Sequence, residues 1–253
     1  MSASPLQEAL GLGLEELVGR AKERVEVAVL DSGIDATHPD LAGSVLAAYR
    51  VVADSGTPRL EEIPPDTNND SFGHGTAVAS ILRRVAPHVD LVDFRVLGAN
   101  PQGSGPAMVL GLEKALERRC RVLNVSLAAS NRFAQVLFGL CERAYRQNQV
   151  VVAARRNMPL VDNGFPAEFS NCLAVDRESL RSPYLVRFRE DQAVEFAAHG
   201  EEVVVAAPGG GYTTMTGTSF ATPVVSALCA LLLGAFPTLR PFEIKAILKA
   251  HSV

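Results

Sequence analysis

Three short stretches of the chain carry side chains suited to acyl transfer. An apolar run ends in Asp31 and turns at Gly33; in an open parallel sheet, ligands bind beyond the carboxyl ends of strands. His74 stands between Gly73 and Gly75 where a helical pattern begins. Glycine neighbours let another chain approach the imidazole, and a helix N-terminus is expected to lower its pKa somewhat, which suits a general base near neutral pH. Ser219 lies in the small-residue turn Thr216-Gly217-Thr218-Ser219 that opens a very apolar helix, where backbone N–H groups can bind a developing oxyanion. Each residue alone has a structural reading: Asp31 caps a turn, His74 caps a helix or holds a metal, Ser219 is an N-cap. No second His follows His74 at i+4 and no H-E-x-x-H occurs, so zinc has little support. Together the three supply a nucleophile, the imidazole that takes its proton, and the carboxylate that holds the imidazole tautomer.

These residues need a scaffold, and the apolar pattern describes one. Short β-branched runs at 25–30, 45–52, 89–96, 122–126, 150–154, 172–175 and 203–206 alternate with helical periodicity at 6–22, 74–84, 104–118, 132–147, 219–236 and 241–250. Most of the runs are too apolar to have a wet face, which predicts an α/β fold: a mostly parallel β-sheet flanked by helices on both faces. Two further strands, 184–189 and 193–197, are expected antiparallel at the margin, and Thr238 is the expected N-cap of the last helix. Residues 54–72 and 157–171 read as long loops of the kind that border a site. No repeat or Gly/Ser linker divides the chain, so residues 25–253 are expected to form one domain preceded by a helical segment at 1–24.

Composition narrows the function classes. The 253 residues are 47% apolar with a net charge of −4, and no basic block exceeds a pair, which speaks against disorder and against nucleic acid as a partner. No stretch approaches about 18 uninterrupted apolar residues, so no membrane span is expected. The N-terminus has acidic residues where a secretory leader needs a positive start, and a cytoplasmic location is the expectation. Cys120, Cys141, Cys172 and Cys229 are scattered singly and read as reduced core residues. His38 reads as a structural part of its His-Pro-Asp turn, and His88, His199 and His251 as solvated. The pairs Arg83-Arg84 and Arg118-Arg119 read as helix ends.

The chain order Asp31, His74, Ser219 and the stretches Asp31-Ser-Gly-Ile-Asp-x-x-His38-Pro-Asp-Leu41, Gly73-His-Gly-Thr-x-Val-Ala79 and Gly217-Thr-Ser-Phe-Ala-Thr-Pro223 closely resemble the subtilisin-like serine proteases, the subtilases. Shorter matches include Val96-Leu-Gly98, Asn124-Val-Ser-Leu127, Phe165-Pro-Ala167 and Ala207-Pro-Gly209, and the likeness runs from about Val25 to the C-terminus. The resemblance implies a serine endopeptidase needing no cofactor. In it Asp31 orients His74, His74 acts as base and then acid, Ser219 attacks the scissile carbonyl, and the Asn157 amide joins the Ser219 N–H in an oxyanion hole. It also implies that Gly103, Ser104 and Gly105 form one edge and Ser126, Leu127 and Ala128 the other of a cleft where the substrate lies as an added strand. The implied partners are a peptide or protein substrate, such as a leader peptide cut in one processing step, and a propeptide-like inhibitor.

The chain also departs from the family. Arg155 and Arg156 stand where small residues usually wall the primary specificity pocket, and Ala128-Ala129 replaces glycines. Three readings of Arg156 are open: it selects an acidic side chain, it blocks the pocket, or it turns to solvent. The alternative function is accordingly a pseudoprotease that binds peptide without cutting it. The helix from His74 runs through residues 80–87 without the family's Asn-rich calcium loop, and no metal is expected. Asp40 then reads as a surface carboxylate, and two readings of Asp66, Asn68, Asn69 and Asp70 are open, a different oxygen-rich site or turn residues. The 6–22 segment reads as a single helix packed on the body, too short to be a folding propeptide.

Overall fold

A computed structural model describes residues 4–52, 58–98, 105–158 and 162–253. From the N-terminus come α1 (Pro5–Leu10), α2 (Leu14–Gly19), β1 (Glu26–Asp31), β2 (Val45–Val52), β3 (Arg59–Ile63), α3 (His74–Val85) and β4 (Asp90–Arg95). Then follow α4 (Gly105–Arg118), β5 (Val122–Val125), α5 (Ala134–Arg146), β6 (Val150–Ala154), β7 (Leu173–Glu178), β8 (Val186–Phe188) and β9 (Phe196–His199). The chain ends with β10 (Val203–Ala207), β11 (Gly211–Met215), α6 (Thr218–Ala235) and α7 (Pro241–Ala250).

Alternation along β1 sorts its side chains between two cores. Val27 and Val29 enter the cluster built with α3 and α6, while Ala28 and Leu30 enter the one built with α4 and α5, as the two-residue period of a strand requires. Asp31 continues the Val27 and Val29 face, so its side chain emerges on the side where α3 and α6 begin. The main sheet runs β3-β2-β4-β1-β5-β6-β7-β9-β8, with parallel pairing from β2 through β9 and antiparallel partners only at its two margins, β3 and β8. This is the expected α/β architecture. Chain order reverses around β1, with β4 and β2 on one side and β5 to β7 on the other. Asp31 therefore sits at the crevice where open sheets hold ligands.

Four local expectations are corrected. β3 lies inside the segment read as a loop: its Arg-Leu-Glu-Glu-Ile sequence is a poor strand former, but as a margin strand it wets its charges and pairs Glu61 with Arg50 at 3.2 Å. Residues 203–206 do not join the main sheet; as part of β10 they pair with β11, a strand not marked in the sequence, in a separate antiparallel hairpin. The 6–22 segment is two helices, because Gly11 closes α1 by donating its N–H to the carbonyls of Glu8 and Ala9. The N-cap of α7 is Arg240, whose N–H is taken by Glu243 at 2.8 Å, and not Thr238.

The N-terminal helices pack against the far ends of α6 and α7. Ala9 and Leu17 are buried, and Lys22 and Glu23 both donate to the Gly234 carbonyl at 3.1 Å. His251 is not solvated as expected: its Nε2 meets the Leu12 carbonyl at 2.6 Å and its Nδ1 the Ile247 carbonyl at 2.8 Å. α6 is 18 residues long and apolar enough to cross a membrane by length and composition, yet 89% of it is buried inside the protein. It is the central core helix, with most of its side chains in one cluster. All four cysteines are buried and free, and burial together with the Glu26 charge pushes the Cys120 thiol up to about 12, which makes it a poor nucleophile.

Candidate active site

Helix α3 starts at a glycine that caps nothing. Gly73 has φ 92° and no side chain, so its duty passes to Asp70. One Asp70 oxygen accepts the N–H groups of Phe72 (3.0 Å) and Gly73 (2.8 Å), and the other accepts the N–H (2.9 Å) and hydroxyl (2.6 Å) of Thr76. These bonds satisfy donors that the first helical turn leaves orphaned. Ser32, next to Asp31, donates its hydroxyl to Asp70 at 2.8 Å and accepts the Gly75 N–H at 3.0 Å. The end of β1 and the start of α3 are thereby tied together, and His74 comes to Asp31.

Asp31 is fully buried, and its Oδ1 meets His74 Nδ1 at 2.7 Å while also taking the Ser32 N–H at 2.8 Å. The ring also lies against Phe220, with centroids 5.3 Å apart. Burial alone would lower the imidazole pKa, but the Asp31 charge, the Asp31 hydrogen bond and the Asp70 charge outweigh it and raise it above the usual value of 6.5. This corrects the expectation of a lowered pKa: the helix end that should repel the imidazolium carries the Asp70 carboxylate. Asp93, fully buried behind Asp31, holds the turn by accepting the Ile34 N–H at 3.1 Å, and burial drives its carboxyl well above the usual range.

The close approach requires glycine at position 75. A Cβ built there falls 2.1 Å from the Gly33 carbonyl oxygen and 3.1 Å from Asp31 Cβ. Backbone cannot yield as a flexible side chain does, so Gly75→Ala is expected to cost about 1–3 kcal/mol of stability. Urea unfolding checks this, and an unshifted midpoint would contradict the packing.

At the start of α6, Pro223 has no N–H to give the Ser219 carbonyl four residues earlier. The Ser126 hydroxyl fills that place at 3.0 Å, itself held by Asn124 Nδ2 at 2.9 Å, while Asn124 Oδ1 accepts the Ser226 hydroxyl at 2.8 Å. In return the Ser219 hydroxyl donates to the Ser126 carbonyl at 3.0 Å. The end of β5 and the first turn of α6 are thus buttoned together, and Ser219 and His74 face one hollow of about 200 Å³ with Leu97 and Leu127. In the resting arrangement the hydroxyl points to Ser126 and not to the imidazole; catalytic contacts are often loose without substrate.

Asn157 follows β6. Its Oδ1 accepts the Thr218 N–H (3.1 Å), the Thr218 hydroxyl (3.2 Å) and Arg177 (3.4 Å). With the oxygen so occupied, the amide NH2 is the donor that Asn157 has left to offer. The N–H of Ser219, the residue after Thr218, belongs to the first turn of α6 and has no helical acceptor.

The sequence model of the subtilase family matches residues 22–252. Alkaline elastase YaB of Bacillus sp. (strain YaB) is 32% identical over 89% of this chain and 58% of its own length. Subtilisin DY of Bacillus licheniformis is 31% identical over 87% of this chain and 81% of its own. The chain belongs to the subtilase family. An intracellular serine protease of Paenibacillus polymyxa is 30% identical over 82% of this chain and 66% of its own. The solved structure of sphericase, 22% identical, superposes with a TM-score of 0.73 over 92% of this chain and 87% of that one, a likeness of fold. This subtilase domain spans 58% of the length of the elastase it matches.

The remaining expected site residues of the subtilase fall as follows. Gly103 and Ser104 lie outside the described residues, and Gly105 opens α4 with its Cα against the Phe133 ring. Ser126, Leu127 and Ala128 leave β5 beside Ser219, and all three line the hollow. Arg155 turns away to Asp176 at 2.5 Å and Asn163 at 3.2 Å. Arg156 stays beside Ala129 and Asp162, at 3.2 Å from each. Asp40 accepts the Tyr212 hydroxyl at 2.8 Å, and Asn68 accepts the Asp70 N–H at 3.0 Å. In the sequence Thr218 and Asn124 stand only as members of matched stretches, without a role of their own, and Asp70 as a turn residue and not a helix cap. Only the uncapped glycine before His74 signalled Asp70.

Proposed function

We propose that this subtilase is a serine endopeptidase that cuts peptide bonds through an acyl-enzyme on Ser219. The contact between Asp31 and His74 Nδ1 carries the reading: it leaves Nε2 as the free acceptor, in a hollow that Ser219 shares. Asp31 holds the tautomer, and His74 takes the Ser219 proton and returns it to the leaving amine. The Ser219 N–H and the Asn157 amide receive the oxyanion. Substrate lies as an added strand on the edge formed by Ser126, Leu127 and Ala128. Its N–H takes over the Ser126 carbonyl, which frees the Ser219 hydroxyl to turn to Nε2. Residues 25–253 are the working domain, and α1 and α2 ahead of it are a brace on α6 and α7. The natural substrate is a narrow class of protein or leader peptide, a propeptide-like segment is the fitting inhibitor, and the cytoplasm, as the name of the intracellular relative has it, is the fitting location.

A pseudoprotease is favoured by one observation, the Ser219 hydroxyl bonded to Ser126 instead of His74. Labelling with a serine-reactive fluorophosphonate, read by intact mass, separates the two. An endopeptidase is labelled once, and the label is lost in Ser219→Ala and His74→Ala. A folded protein that stays unlabelled is a pseudoprotease.

The raised His74 pKa sets a pH dependence. Attack needs the neutral imidazole, so kcat/KM is expected to fall about tenfold per pH unit below an inflection that lies above 6.5. Asp70→Asn removes one of the charges that raise the pKa and should move the inflection down. A profile flat from pH 5 to 8 would exclude His74 as the base.

A further inference from the structure

We propose that Arg156, fastened by Asp162, fills the recess meant for the side chain before the scissile bond, so that this enzyme cuts only after small residues such as Gly, Ala or Ser. This rests on the endopeptidase reading above. The two groups that must flank the reacting carbonyl, Ser219 and Asn157, locate the recess. Beside them the segments 126–129 and 154–157 leave the adjacent parallel strands β5 and β6 side by side. The segment 162–165 closes the floor, where Ala129 and Phe165 exchange backbone hydrogen bonds of 2.9 and 3.2 Å. A substrate strand on the 126–128 edge, with its carbonyl between Ser219 and Asn157, has to aim the preceding side chain between these walls.

The space is already taken. A Cβ built on Gly164 falls 2.6 Å from Ala128 Cβ, so floor and wall are in van der Waals contact. The same built atom is 3.5 Å from Arg156 Cβ and 3.7 Å from its Nε, so the arginine stem runs across the floor glycine. Arg156 is held at both ends. Its N–H donates to the Asn163 carbonyl at 2.7 Å, and its Nη2 donates to the Ala129 carbonyl and to Asp162 Oδ1, each at 3.2 Å. Asp162 is itself positioned by the Gly164 N–H at 2.9 Å. The hollow at Ser219 stops at Ala128, and Arg156, Asp162 and Gly164 take no part in its lining.

Selection of an acidic side chain is the less favoured role. Asp162 already opposes the guanidinium charge, so a substrate carboxylate would have to displace an internal one. Of the two other cations nearby, Arg155 is spent on Asp176, and Arg177, which reaches Asn157 Oδ1, faces Glu201 at 3.8 Å.

Peptidyl phosphonates carrying an Ala, Phe or Glu side chain next to phosphorus test the proposal, with labelling rates read by intact mass. The wild type is expected to react fastest with the Ala probe. Arg156→Gly and, independently, Ala128→Gly are expected to raise the Phe to Ala rate ratio about tenfold or more. A wild type that prefers the Phe probe overturns the proposal, as does an Arg156-dependent preference for the Glu probe. So does an unchanged ratio in both variants while each still labels. If no probe labels any of the three proteins, the endopeptidase reading itself falls.

Discussion

Ser219→Ala and His74→Ala are each expected to lower kcat on a cleaved peptide by about 10⁶-fold, and the double variant by no more, because nucleophile and base act as one unit; the scale is that measured for subtilisin. The geometry behind this is specific. Asp31 Oδ1 has two donors, the Ser32 N–H and His74 Nδ1, and Asp31 Oδ2 is buried without a partner among the described residues. An Asn in place of Asp31 can turn its NH2 to the ring, which reverses the tautomer and removes the lone pair that Ser219 needs. Asp31→Asn is therefore expected to lose about 10⁴-fold with the fold intact. Steady-state kinetics with circular dichroism as the folding control measure all three. Activity in Ser219→Ala within tenfold of the wild type would place the nucleophile elsewhere.

Asn157→Ala should lower kcat by about 100- to 1,000-fold and leave KM nearly unchanged, since an oxyanion donor works in the transition state and hardly at all on the bound peptide. The orientation depends on three donors to Oδ1, two of them from Thr218. Thr218→Val keeps the shape and the N–H but deletes the hydroxyl, which also ties Arg155 by its carbonyl at 2.6 Å. It should lower kcat in the same direction and by less. A loss confined to KM in Asn157→Ala would make the residue a substrate contact and not an oxyanion donor.

Much of this site was legible in the sequence where short-range rules apply. Asp31, His74 and Ser219 announce themselves because each interrupts a regular pattern: a buried strand ending in a carboxylate, a helix starting between glycines, an apolar helix opening on small residues. The parallel strands follow from the sequence to within three residues because burial on both faces leaves nearly continuous apolar runs. β3 and β11 escaped because their residues carry no such run; they become strands through pairing with β2 and β10. The sign of the His74 pKa shift was missed for a related reason. The helix end is local, but Asp31 comes from a strand 43 residues away, and the Asp70 charge acts on the ring from its place as the helix cap.

Residue types and chain order alone were enough to name the family and its α/β sheet and to propose its reacting groups, because those rest on periodicity and on motifs a few residues long. The three open readings of Arg156 could not be told apart that way. They became distinct only when the Ala129 carbonyl, Asp162 and Gly164 were brought around one guanidinium by the exits of two neighbouring strands and the loop that follows. A long cation has many rotamers of similar energy, and what chooses among them is the set of acceptors within reach, which folding assembles from separate parts of the chain.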